Sequence, residues 1–170
     1  RWAFKHPTPA DFFRTMEDGV GEDLSWFWRS WFYTTETLDQ AVDSIKVVER
    51  QGTPQSRVYL QNVGPMVMPV DLTLYFEGAP PEQRRLPVEV WYGGKTYILA
   101  VPDRRVVGVV VDPAEVFPDV NRTNNKTGQV PTPTPVASVT IRPADAAVTV
   151  GDTLRLTAQA FDSAGRELSD

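Results

Sequence analysis

The densest run of apolar side chains lies near the start of the chain, where six of the eight residues from 26 to 33 are aromatic. Apolar residues recur here at the i, i+3, i+4, i+7 spacing of one helix face, at Leu24, Phe27, Trp28 and Trp31. Further rings widen this face, so only Arg29 and Ser30 are expected to face water. A helix that is apolar nearly all round normally lies inside a larger protein, and we therefore expect more protein around it than this chain supplies.

A second helix is predicted immediately before the aromatic one. Thr8 is a favourable N-cap, Pro9 suits the first helical position and Asp11 the third. Gly19 is expected to end the helix in a left-handed conformation, so the helix is predicted from about residue 9 to 18. Because the link to the aromatic helix is short, the two helices are expected to pack as a hairpin.

From about residue 38 the apolar residues alternate with polar ones, which predicts β-strands. The strictest alternation covers residues 70–76, and further strands are predicted near residues 44–50, 57–63, 86–92, 96–101 and 106–111. The pair Gly93-Gly94 is expected to join two of them in a tight hairpin turn. Six short strands separated by turn residues predict a small antiparallel β-sandwich.

The clearest domain boundary is the segment from Asn124 to Pro135, because its proline- and threonine-rich core, residues 131–135, favours extended polyproline geometry. Beyond it, alternation at 139–141, 148–150 and 154–160 and a turn at 162–165 predict a β module too short to close its own core. The predicted fold class is mainly β with an N-terminal α-helical hairpin. The predicted organisation is a hairpin in 1–37, a β-sandwich in 38–118, a linker in 119–135 and a truncated β module in 136–170.

Composition argues against several classes of function. The net charge of −5 and the pI near 4.9 argue against a nucleic-acid partner or an anionic membrane surface. The chain has no cysteine, and no apolar run reaches the roughly 18–20 residues of a membrane span. It opens at Arg1 without a signal peptide and stops at Asp170, so we expect an internal segment of a longer polypeptide.

No complete catalytic motif occurs in the chain. A zinc site needs three or four ligands drawn mainly from His and Cys, and the chain has a single His, His6, which we interpret as a capping or packing residue. A Gly-x-Ser-x-Gly elbow and a glycine-rich phosphate loop are also missing. The sequence therefore predicts no catalytic, cofactor-binding or metal-binding residue.

Oxygen-bearing side chains cluster near the end of the predicted sandwich, at Asp112, Asp119, Asn121, Asn124 and Asn125. They could hold Ca²⁺, although the glycine and the bidentate glutamate of an EF-hand loop are missing. The alternative is that these side chains cap turns. Asn121 and Asn125 also begin glycosylation sequons, whose meaning depends on the host.

The aromatic helix is the one candidate interaction surface, with Trp26, Trp28, Trp31 and Phe32 as its candidate residues. Burial against a larger domain, stacking on sugar rings and binding in a groove of a partner protein are the three interpretations. Rings that surround a helix, instead of lying flat along a strand, favour burial.

The run HPTPADFFRTMEDGVGEDLSWFWRSWFYTTETLDQAVDSI, with VVVDPAEVFPDVNRTNN further on, resembles the C-terminal part of bacterial zinc aminopeptidases of the aminopeptidase N family. The resemblance covers about residues 1–125. It implies that Asp11-Phe12-Phe13 and the aromatic helix, with Trp31 near its end, are the last helices of a thermolysin-like catalytic domain, with a β-sandwich packed behind. The family's His-Glu-x-x-His helix does not occur here, so zinc is expected only in a missing catalytic part.

Residues 148–158, VTVGDTLRLTA, resemble the opening of a bacterial Ig-like module of the invasin and intimin type. Such modules are common in secreted and surface proteins, which implies the bacterial cell envelope or the outside of the cell. The favoured hypothesis is a non-catalytic C-terminal fragment of a secreted or envelope zinc aminopeptidase, inactive alone, whose partner is the upstream catalytic domain. The alternative is a free-standing sugar- or peptide-binding β-sandwich protein, and self-association through residues 136–170 is expected in either case.

Overall fold

A computed structural model describes residues 6–132 and 135–168, which fall into two compact units that divide between Val130 and Pro131. In the described part of the first unit lie two helices, α1 (Pro9–Val20) and α2 (Ser25–Phe32), and strands β1 (Gln40–Arg50), β2 (Thr53–Asn62), β3 (Val70–Phe76), β4 (Ala79–Leu86), β5 (Thr96–Pro102), β6 (Val106–Val111) and β7 (Lys126–Gly128). The second unit contains β8 (Ser138–Arg142), β9 (Thr157–Phe161) and β10 (Glu167–Leu168). The predicted fold class, mainly β with an N-terminal helical hairpin, is confirmed.

Helix α1 begins where its sequence predicts and ends later. The Thr8 hydroxyl accepts the backbone N–H of Asp11 at 3.3 Å, and the Asp11 carboxylate accepts the backbone N–H of Thr8 at 2.9 Å. Gly19 was wrongly predicted as the stop, because the helix continues to Val20 and the left-handed residue is Gly21, with φ 79°.

Two antiparallel sheets form the body of the first unit, with strand orders β1-β2-β5 and β4-β3-β6-β7. Buried residues of both sheets share one core, which includes Val58 and Leu60 of β2, Leu72 and Leu74 of β3, and Val109 of β6. This arrangement is β-sandwich-like, as predicted. None of the buried residues of this core comes from α1 or α2, and the partly buried Trp26 of α2 packs against it.

The predicted strand over residues 86–92 is wrong. Val88–Trp91 is a 3-10 helix, and the strand lies before it in β4, an edge strand that tolerates Pro80 and Pro81. Val88 and Trp91 are both buried and stand three residues apart, which is one 3-10 turn. The turn at Gly93-Gly94 therefore connects this 3-10 helix to β5 and does not join two strands.

The first unit also extends into the segment predicted as a linker. Asp119 forms an isolated bridge with Leu38, a short 3-10 helix covers Arg122–Asn124, and β7 pairs with β6. Residues 119–130 thus belong to the sandwich. Two residues of the proline- and threonine-rich segment, 133 and 134, lie outside the described residues.

The second unit is a small antiparallel sheet with strand order β10-β9-β8. The prediction at 139–141 is confirmed by β8, and the turn at 162–165 is confirmed because the Asp162 carboxylate accepts the backbone N–H groups of Ala164 and Arg166. The prediction of a strand at 148–150 is wrong. Val148 and Val150 are exposed and pair with no strand among the described residues, so the alternation of apolar and polar residues here does not correspond to a strand with one buried face.

Neither α1 nor α2, the α-helices of the described residues, has the length and apolarity needed to cross a membrane.

Candidate functional site

Trp26 attaches helix α2 to the sandwich. Its half-buried ring packs against the main core and against a smaller cluster formed by Leu38, Met66 and Met68. Ser30 lies one helical turn further along the same face and is only 4% exposed, so the expectation that it faces water is wrong. The small side chain of Ser30 allows the helix to lie close to the sandwich, whereas Arg29 is exposed as predicted.

Trp28 holds the two helices together. It is 7% exposed, and its ring stacks on Phe13 of α1 with a centroid distance of 4.5 Å. Its indole Nε1 donates a hydrogen bond to Glu17 Oε1 at 3.1 Å. The same oxygen accepts the backbone N–H of Leu24 at 3.2 Å, so Glu17 also caps the start of α2. Trp28 therefore supports the candidate surface from beneath and does not form it.

The exposed side of the hairpin carries large apolar residues from both helices. We call this the hairpin surface; its members are Phe12, Met16, Val20, Trp31, Phe32 and Tyr33. Trp31 is 44% exposed and Phe32 57%, as the prediction of an interaction surface requires. Ring contacts link these residues through the interior of the hairpin, since Trp31 stacks on Phe27 at 5.5 Å and Phe32 lies 5.4 Å from Trp28.

The size of the hairpin surface can be estimated from its rings. At about 150–250 Å² for each fully exposed ring, the exposed fractions of Phe12, Trp31, Phe32 and Tyr33 amount to roughly 300–550 Å². This total, to which Met16 and Val20 add, is comparable to the largest apolar patch of a typical monomer, and patches of that size commonly mark an interaction site.

A groove of ≈ 760 Å³ separates the beginning of α2 from the sandwich. We call it the acidic groove; its walls include Leu24, Trp26, Phe27, Met68, Pro87 and Tyr92, and its charged residues are Glu22, Asp23, Glu89 and Arg85. A second groove of ≈ 640 Å³ shares Trp26 and Tyr92 with it as lining residues. The sequence analysis missed this arrangement, because Tyr92 and Glu89 fell in the segment wrongly predicted as a strand.

Two carboxylates of the cluster proposed for calcium are already occupied by hydrogen-bond donors. The buried Asp112 carboxylate accepts the backbone N–H groups of Val116 and Phe117 at 2.9 and 3.0 Å, and Arg122 Nη1 at 2.9 Å. Asp119 accepts the backbone N–H of Gln40 at 2.9 Å. The backbone contacts of Asp112 cap a turn, as does the N–H of Asn121, which donates to Asp119 Oδ1 at 2.9 Å, and this is what the alternative interpretation predicts. The contact of Asp119 with Gln40 instead joins parts of the chain that are distant in sequence.

The remaining predicted polar residues do not assemble into a metal centre either. Asn125 is buried and donates to Asp119 at 3.3 Å, so the second sequon is not accessible in the folded chain. His6 is exposed. Among the described residues, no three or more His, Cys, Asp or Glu side chains are grouped so that they could hold a metal ion.

Comparison with known proteins found no matching family, no matching characterised protein and no matching solved structure. No residue role is therefore transferred from a relative.

Proposed function

We propose that this chain is a non-catalytic bracing part of a larger secreted or envelope zinc aminopeptidase, whose catalytic domain covers the hairpin surface. The observation that carries the proposal is the contrast between the two parts of the first unit. The sandwich buries a core of its own, whereas α1 has no buried residue and six large apolar residues are exposed in and next to the two short helices. A helical hairpin with this distribution is suited to joining two bodies, one through Trp26 and the other through the exposed rings.

The free energy available at the hairpin surface is large enough for a stable contact within one polypeptide. Covering roughly 300–550 Å² of apolar surface at about 25 cal/mol per Å² corresponds to about 8–14 kcal/mol before the cost of association. That cost is reduced when the covering domain belongs to the same chain, because the linker keeps the two surfaces at a high effective concentration. The remaining part of the proposal, the zinc chemistry, is assigned to the covering domain and to no residue of this chain.

The test uses a chain extended upstream of Arg1 through its native coding sequence. In the extended protein, Trp31→Ala with Phe32→Ala should lower the melting temperature, whereas the same pair should leave the melting temperature of the 170-residue chain nearly unchanged. The extended protein should contain one zinc ion and cleave aminoacyl substrates, and the 170-residue chain should do neither. Peptidase turnover by the purified 170-residue chain, or equal effects of the double variant in both proteins, would contradict the proposal.

The second candidate is a free-standing sugar- or peptide-binding protein. It is favoured by the position of Trp31, which is exposed and lines a shallow groove of ≈ 300 Å³ together with Leu38 and Met66. Titration with neutral oligosaccharides and peptides should then quench tryptophan fluorescence saturably, and Trp31→Ala should abolish the quenching without changing the far-UV circular dichroism. That result would replace the bracing proposal, since a covered surface cannot also bind a free ligand.

A further inference from the structure

The acidic groove offers apolar walls and a negatively charged rim, and it is separate from the hairpin surface. Its walls come from the start of α2, from residues 68–69 and from the segment around the 3-10 helix Val88–Trp91. At ≈ 760 Å³ it falls within the range of pockets that hold drug-sized ligands. The shared rings of Trp26 and Tyr92 connect it to the neighbouring groove, so an extended ligand can cross from one groove to the other.

The charges at this groove are unbalanced. Among the described residues that line it, Arg85 is the basic one, and its Nη1 is already 3.1 Å from the carboxylate of Asp71, whereas Arg29 lines the neighbouring groove. Glu22, Asp23 and Glu89 form no ion pair with any described residue. Three carboxylates therefore line the groove without an ion-pair partner in the described part of the chain.

Two of these carboxylates, Glu89 and Asp23, come from different parts of the chain but influence the same side chain, Tyr92. Partial burial, followed by the charges of Glu89 and then Asp23, raises the pKa of Tyr92 above its ordinary value. The backbone N–H of Ser25, which donates to Asp23 Oδ1 at 2.8 Å, lowers the pKa of Asp23 below its ordinary value. The aromatic rings beside the carboxylates add faces that attract cations.

We propose that the acidic groove binds an extended polypeptide segment that carries lysine or arginine next to apolar side chains. The apolar side chains and the aliphatic stems of the basic residues pack on Trp26, Phe27 and Met68, while the cationic ends lie between Glu22, Asp23 and Glu89. A neutral segment would leave the carboxylates unpaired, and an acidic one would be repelled. The proposal does not depend on the aminopeptidase proposal, because it concerns a different surface and requires no second domain.

The direct test is calorimetric titration of the 170-residue chain with acetyl-Leu-Lys-Leu-Lys-amide and acetyl-Leu-Arg-Leu-Arg-amide. At least one should bind saturably, and affinity should fall as salt is raised, since the charges of the rim are exposed. The matched peptides with Gln or Glu in place of the basic residue should bind about tenfold more weakly or not at all. Absence of saturable binding by both basic peptides, or equal binding of the Glu peptide, would overturn the proposal.

Charge-neutral variants locate the site. Glu22→Gln, Asp23→Asn and Glu89→Gln combined should weaken binding of the basic peptide about tenfold or more. Tyr92→Ala, at an exposed position, should also weaken binding and provides a second test if the triple variant folds poorly.

The control removes the same number of charges elsewhere. Glu115→Gln, Asp145→Asn and Asp152→Asn combined change exposed carboxylates that do not line the groove. This control should bind the basic peptide within about twofold of the unaltered chain, because the net charge changes equally but the groove does not. An equal loss of affinity in the control and in the groove variant would show that the attraction is a property of the whole acidic chain and would overturn the proposed site.

Discussion

Replacing Trp28 by alanine should separate the two helices of the hairpin while leaving the sandwich intact. The substitution removes a buried indole, its stack on Phe13 at 4.5 Å and its hydrogen bond to Glu17 at 3.1 Å. Large-to-small changes of a buried tryptophan cost about 3–5 kcal/mol, including the cavity left behind. Within that cost the ring stack accounts for about 0.5–1.5 kcal/mol and the hydrogen bond to a charged acceptor for about 1.5–3 kcal/mol.

Amide hydrogen exchange measures this loss where it occurs. A destabilisation of at least about 3 kcal/mol should reduce the protection of α1 and α2 amides by about 100-fold or more, with the amides of β3 nearly unaffected. Trp28→Phe keeps a ring that can stack on Phe13 and removes the hydrogen bond together with part of the buried ring, so it should produce a smaller loss than Trp28→Ala. Trp31→Ala is the matched control, because Trp31 belongs to the same helix but is 44% exposed, and it should cost less than about 1 kcal/mol.

The two variants also distinguish a packing role from a binding role for the aromatic helix. If Trp28 has the packing role described above, the loss of protection must be much larger in Trp28→Ala than in Trp31→Ala. Equal protection in both variants would refute it, and so would a Trp28→Ala protein in which the hairpin remains fully protected.

Three further predictions concern the rest of the chain. The backbone N–H of Arg166 holds the pKa of Asp162 below its ordinary value. The stabilisation of the β9–β10 turn should therefore be present above about pH 4 and be lost as pH falls through the lowered pKa. Amide hydrogen exchange measured against pH should show this loss, and Asp162→Asn should make the exchange rates of the turn nearly independent of pH. A Cβ at Gly108 would lie 2.3 Å from the carbonyl oxygen of the residue after β7, so Gly108→Ala should lower the free energy of unfolding in urea by about 1–3 kcal/mol or more. Gly93→Ala is the control and should lower it little, because a Cβ there would have no atom within 4 Å. Equal losses in the two variants would contradict the packing of β6 on β7. All residues of the edge strand β8 are exposed, and an edge strand offers unpaired backbone groups to another chain. The 170-residue chain should therefore self-associate, and a chain ending at Val130 should not. Particles of the same oligomeric state by light scattering would count against association through the second unit.

Features that depend on neighbouring residues were predictable from the sequence. The start of α1 depends on a reciprocal pair of hydrogen bonds between Thr8 and Asp11, which are only three residues apart. Strand β3 follows from strict alternation over residues 70–76, and the turn near Gly165 follows from its own hydrogen bonds. In each case the energy that selects the conformation comes from contacts close in sequence.

Where one pattern suited two conformations, only packing distinguished them. The apolar positions of Val88–Trp91 fit a strand and a 3-10 turn equally well, and the turn is formed where Trp91 becomes buried and its Nε1 donates to the carbonyl oxygen of Met68 at 2.9 Å. That partner is 23 residues earlier in the chain and is invisible to local periodicity. The same limitation explains why Glu89 and Tyr92 were not recognised as part of a groove.

The sequence by itself determined that this protein is mainly β, that an aromatic hairpin precedes the strands and that more apolar surface is present there than a small helix can bury. Tertiary structure alone decided which rings are covered. Trp28 is buried because it meets Phe13 and Glu17 of the other helix, whereas Trp31 stacks on Phe27 of its own helix, lines an open groove and stays 44% exposed. Periodicity establishes that a helix has an apolar face, but the direction of that face depends on elements distant in sequence, whose positions are set by the packing of the whole unit.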